Sequence, residues 1–144
     1  MLALAKRLTV PVPVETLFDL ADAHGVCVEW YPDPRCPRGE YMVVDREPVI
    51  LLSPKLKDSP MRLRCALAHE LGHHFAGSFW ERVGGEMRDE RRADRWAQDL
   101  LLPLSWLGER LWMAAGELAD EAGVYQRWVE ARLRRLAETA FASA

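Results

Sequence analysis

Two histidines four positions apart, with a glutamate directly after the first, constrain the fold of this chain more than any other feature: His69-Glu70-Leu71-Gly72-His73. On a helix, residues i and i+4 share a face, so both imidazoles project together and can grip one ion. Glu70 lies about 100° around the axis from His69 and roughly 60° from His73. A carboxylate there stands beside a bound ion rather than on it. From that position it can take a proton from a water molecule and give it to a leaving amine.

The flanking residues supply the helix that this spacing requires. Ser59-Pro60 reads as an N-cap followed by proline at the first helical position, and the helix then runs from Met61 to Ala76 before Gly77 stops it. Leu63, Ala66, Leu67, Glu70, His73 and His74 fall on or near one stripe, which places the polar groups on the buried side.

A second helix is expected from about Glu86 to Leu102, between the Gly84-Gly85 break and Pro103. Its inward stripe holds Glu90 and Asp94 among Ala93, Ala97, Leu100 and Leu101. Burying a carboxylate costs several kcal/mol unless a cation or a set of donors meets it. Glu90 is therefore read as a third metal ligand beside His69 and His73. Asp94 is read as an acceptor that holds one imidazole by its other N–H. Ion pairing of the two acids with Arg88, Arg91, Arg92 and Arg95 is the competing assignment. His74 and His24 have no spaced partner and read as structural.

The run Arg62-Leu-Arg-Cys-Ala-Leu-Ala-His-Glu-Leu-Gly-His-His74, followed by Glu90-Arg-Arg-Ala-Asp-Arg-Trp-Ala-Gln-Asp-Leu-Leu-Leu-Pro103, resembles the ImmA/IrrE family of metallopeptidases over roughly residues 10 to 136. Trp96 stands where that family usually has phenylalanine. The resemblance implies a gluzincin-like zinc site, with His69, His73 and Glu90 as ligands and Glu70 as general base. It also implies the family role, zinc-dependent cleavage of a specific protein substrate, typically a helix-turn-helix repressor or antitoxin-like regulator encoded nearby. Manganese is an alternative to zinc at such a site. A second function with the same ligands is a partner that binds metal and sequesters a repressor or toxin without cutting it. Glu70 working as a base is what separates the two.

The chain of 144 residues is long enough to bury one core, and its 49% hydrophobic and 28% charged residues are ordinary for a globular domain. Cys27, Cys36 and Cys65 form no C-x-x-C pair and are odd in number, which argues against a disulfide framework and for a reducing compartment. The apolar residues 1 to 5 are too few for a signal-peptide core, and no run is long enough to cross a bilayer. A cytoplasmic location is expected. The formal charge of −3, from 19 basic and 22 acidic residues, gives no overall nucleic-acid signature.

The expected fold class is α+β, a small antiparallel sheet packed on the metal-site helix with a helical C-terminal region. Residues 1–104 would form the zincin-like core and 105–144 a helical extension packed on it as one domain. Pro13 to Ala23 reads as the opening helix, with Leu17, Leu20 and Ala21 inward and Gly25 as its stop. Val26 to Trp30 reads as a strand and Tyr31 to Gly39 as a loop rich in proline. Tyr41–Val44 and Val49–Leu52 read as a hairpin joined through Asp45-Arg-Glu-Pro48. One sheet edge beside the metal could take an extended peptide by strand addition. Tyr41, His24 and the arginines around residue 88 are all candidates to stabilise the oxyanion.

Residues 117–136 carry the spacing of a helix-turn-helix, with Ala119, Gly123, Val124, Val129 and Leu133 at suitable offsets. Arg127, Arg132, Arg134 and Arg135 make the second half basic, so a DNA-binding regulator is a third reading. The competing one is a helical hairpin packed on the core, with Trp128 inside.

Overall fold

The computed structural model describes residues 8–33, 35, 38–77 and 86–142, with side chains in the stretch after residue 85 described from residue 89 onward. Residues 1 to 5, Cys36, the Gly84-Gly85 break and the Arg88 side chain lie outside the described residues.

Helix α1 (Val14–Ala23) opens the fold and buries Leu17, Leu20 and Ala21, the inward face expected from their spacing. Gly25, at φ 70°, turns the chain out of the helix. Strand β1 (Cys27–Trp30) follows, then β2 (Gly39–Val44) and β3 (Glu47–Leu52).

The β2–β3 pair is the expected hairpin, closed more tightly than the sequence suggested. Val44 pairs with Glu47, so only Asp45 and Arg46 form the turn, both at positive φ. Two such residues match the right-handed strand twist of a primed two-residue turn. Pro48 is tolerated in the central strand because the β1 ladder begins at Val49, one residue beyond it.

The sheet is mixed rather than wholly antiparallel, with strand order β1-β3-β2. β1 pairs with β3 in parallel, Cys27 opposite Val49 through Trp30 opposite Leu52. β1 and β2 flank β3 on opposite sides, and β1 and β3 run in the same direction. The α+β class stands.

After a 3₁₀ turn (Pro54–Asp58), helix α2 (Pro60–Ala76) begins where its signals place it, with the Ser59 side chain accepting a hydrogen bond from the Arg62 backbone N–H. Helix α3 (Glu86–Leu101) packs along α2, followed by the single turn α4 (Leu104–Leu107), then α5 (Ala115–Ala122) and α6 (Gln126–Ala142). One buried cluster joins Leu17, Ile50, Leu71, Leu101, Leu118 and Val129, drawing on both sides of residue 104.

Between α5 and α6 the chain turns through Gly123 at φ 63°, with the Val124 N–H bonded back to the Ala119 carbonyl. Arg64 on α2 reaches this turn. Its guanidinium donates to the carbonyls of Val12 (2.6 Å) and Gly123 (2.8 Å), and burial lowers its pKa from the ordinary arginine value. On α6, Trp128 and Val129 are buried. Arg132 and Arg135 lie 3.3 Å and 2.9 Å from Asp99 of α3. Two of the four arginines that made this segment look basic are thus engaged within the molecule. No described helix is long and apolar enough to cross a membrane.

Candidate metal centre

Helix α2 is the floor of a cleft of about 780 Å³. Residues 62, 65, 66, 69, 70 and 73 line it, the stripe that a helical repeat of 3.6 residues generates. Strand β2 forms one wall through Gly39, Glu40 and Tyr41, and α3 forms another through Asp89, Glu90 and Asp94.

His69, Glu70 and His73 offer ligand atoms that all lie within 4.8 Å of one another. The two rings meet at Nε2, 3.1 Å apart. Glu90 joins them from α3, with Oε2 3.0 Å from His69 Nε2 and Oε1 2.8 Å from His73 Nε2. Asp94, one turn later on α3, lies 2.8 Å from His69 Nδ1. All five residues singled out from the sequence are brought to one place.

Charge decides what this cluster can hold. A carboxylate at Nδ1 fixes the proton of a neutral His69 there and leaves a lone pair on Nε2. That lone pair faces the His73 nitrogen and the Glu90 carboxylate. A proton on each ring would satisfy Glu90 but would aim two N–H groups into the same 3.1 Å gap. One divalent cation satisfies every contact at once. Zinc bonds of roughly 2.0–2.1 Å in a tetrahedron set donor atoms about 3.3 Å apart, close to the spacing here. The donor set therefore fits a metal ion, and two imidazoles with one carboxylate suit zinc among other divalent ions.

Burial is distributed differently from the expectation. Glu90 and Asp94 were expected to face inward, yet their side chains are 58% and 41% exposed. Ala93, Ala97 and Leu101 take up the buried face of α3, leaving the acids at its margin, where the cleft opens. The buried carboxylate is Glu70, 6% exposed.

Its burial pushes the Glu70 carboxyl up to about 7, against the pull of His69 and with the nearby Glu90 and Glu40 in support. Glu70 Oε1 stands 3.9 Å from His69 Nε2, beyond hydrogen-bond range. At His69, burial resists the charged form, but the Asp94 hydrogen bond and the surrounding carboxylates raise the pKa above the ordinary value. Burial and the neighbouring His69 lower that of His73.

Of the oxyanion candidates, Tyr41 lines the cleft, stacked at 17° on the His73 ring with centroids 6.4 Å apart. Its hydroxyl is 2.9 Å from Nδ1 of His74. His74 therefore has a partner that sequence spacing did not reveal, since Tyr41 lies on a strand 33 positions away. His24 bonds to the Leu20 carbonyl and sits edge-on to Phe75. Arg91 and Arg92 are exposed. Trp96 stacks on Phe75 at 15°, a place any flat apolar ring could fill.

Comparison of the chain with protein-family models, with curated proteins and with solved structures returned no match. What can be stated of its function comes from the metal-ligating group itself.

Proposed function

We propose that this chain is a zinc-dependent endopeptidase of the ImmA/IrrE type, acting on a specific protein substrate. His69, His73 and Glu90 would hold the ion, and Asp94 would fix the His69 ring. When bound, the ion supplies Lewis acidity at the substrate carbonyl and brings the pKa of a water ligand near 7.

The observation that carries the reading is Glu70. Its carboxylate is buried beside the histidine pair without bonding to it, within reach of a water on an ion held there, which is where a general base must stand. It accepts the proton of the attacking water and returns it to the amine that departs. β2 is an edge strand whose start lines the same cleft, so an extended peptide could add to it and lay its backbone across the histidines. The motif resemblance extends the proposal to the substrate, a helix-turn-helix repressor or antitoxin-like regulator.

The test uses the zinc-loaded chain and the regulator encoded beside it. Two defined fragments should appear, and Glu70→Gln should abolish them while keeping the metal. Release of intact regulator from its DNA, equal in the two proteins, would favour sequestration instead.

A further inference from the structure

The cleft continues past the histidines toward the start of α2, and there arginines join its lining, which elsewhere also includes Arg38 and Glu40. Arg62 comes from α2 itself and Arg127 from the first turn of α6, while Asp89, Glu90 and Asp94 lie at the metal end. Both residues are exposed to solvent. Among the described residues neither forms an ion pair.

The two arginines are placed, not merely present. Arg127 lies 4.1 Å over the ring of Tyr125, which also lines the cleft, so a cation–π contact orients its planar fork. The Tyr125 backbone and the Arg127 charge both act on Cys65, one helical turn beyond Arg62. Arg62, Cys65, Tyr125 and Arg127 thus line one stretch of the cleft. Arg64, bonded to the Gly123 carbonyl, holds the α5–α6 turn against α2.

We propose that Arg62 and Arg127 form a subsite for an acidic side chain of the peptide substrate, a specificity element that rests on the peptidase reading. Arg62 and His69 are seven residues apart on one helix, about 10 Å along the axis. An extended peptide covers that span in about three residues. The acid therefore falls about three positions from the bond beside the metal. Guanidiniums suit this role because they grip a carboxylate through two parallel hydrogen bonds.

The experiment measures binding by fluorescence anisotropy. The zinc-loaded Glu70→Gln protein is titrated into labelled short peptides of neutral sequence, each with one Glu walked along its length, beside matched Gln controls. One Glu position should bind about 10-fold more tightly than its control. Arg62→Gln and Arg127→Gln should each shrink that ratio, and the double variant should bring it to one with zinc content and circular dichroism unchanged.

A wild-type ratio of one at every position overturns the subsite, as does absence of peptide binding. So does a ratio that survives in the double variant, or a bound Glu peptide displaced more readily by duplex DNA than by a glutamate-rich peptide. Cutting by the Glu70 chain is scored separately. Cutting without acidic preference removes the subsite and leaves the peptidase reading, whereas preference without cutting does the reverse.

Discussion

A β-carbon on Gly72 would stand 2.5 Å from the carbonyl oxygen of Ala93 and 2.8 Å from its α-carbon, so α2 and α3 touch backbone to backbone there. Glu90 and Asp94 flank Ala93 on α3, and His69 and His73 flank Gly72 on α2. The absent side chain at position 72 is what lets the carboxylates of one helix reach the imidazoles of the other. Gly72→Ala should push the helices apart, costing about 1–3 kcal/mol of stability from overpacking. Zinc affinity should fall with it. Thermal unfolding and a chelator competition titration check both, and unchanged zinc affinity would refute this role for the contact.

Asp94 acts on the metal through the His69 ring. Asp94→Asn keeps the size of the side chain and removes its charge, so zinc affinity should drop by about 10–100-fold, as outer carboxylates at such sites generally show. Far-UV circular dichroism should be unaltered, because Asp94 is 41% exposed. Arg95→Gln, one position along and exposed, is the control.

The Glu70 carboxyl links the stability of the metal-free protein to pH. Folded, it keeps its proton up to about 7, whereas its ordinary value is 4.5. Between those values the unfolded chain binds fewer protons than the folded one, so stability from this group declines as pH rises through the window. Glu70→Gln carries no such penalty. In the presence of a chelator the variant should match the parent below about pH 4.5 and exceed it above pH 7 by about 1–3 kcal/mol. Urea unfolding at a series of pH values reads the gap, and a gap that does not change with pH contradicts the assignment.

Arg64 and Gly123 should be energetically coupled. A β-carbon on Gly123 would fall 2.3 Å from the Arg64 Nη1, on a backbone already at φ 63°. Gly123→Ala alone should cost about 2–4 kcal/mol, combining collision with backbone strain. In an Arg64→Ala background only the strain remains, about 1 kcal/mol. A double-mutant cycle by denaturant unfolding tests this, and strict additivity would disprove the contact.

Much of the site could be read from the chain because helical spacing is a local property. Ser59, Pro60 and Gly77 bounded α2, the i, i+4 rule paired the histidines, and the Glu90–Asp94 spacing matched a second helix to the first. Pairings between distant segments were not legible. Nothing in Cys27–Trp30 states that it runs parallel to β3, because the direction depends on which side of β3 the strand takes up, which is not a local property. The exposure of Glu90 and Asp94 was missed because periodicity gives the direction of a helix face without saying how far the neighbouring helix extends over it. That Arg127 lines the same cleft as the histidines was likewise not legible, because the two segments lie more than fifty positions apart.

The guanidinium of Arg64 binds two backbone carbonyls from opposite ends of the chain, those of Val12 and Gly123. Backbone acceptors survive side-chain substitution, so this tie specifies segments rather than partner residues. A fragment trimmed before the α5–α6 turn would forfeit one of the two acceptors and the Tyr125–Arg127 wall together. Limited proteolysis within that turn should therefore lower the stability of the whole, since the buried cluster draws on α6 as well as on α1 and α2.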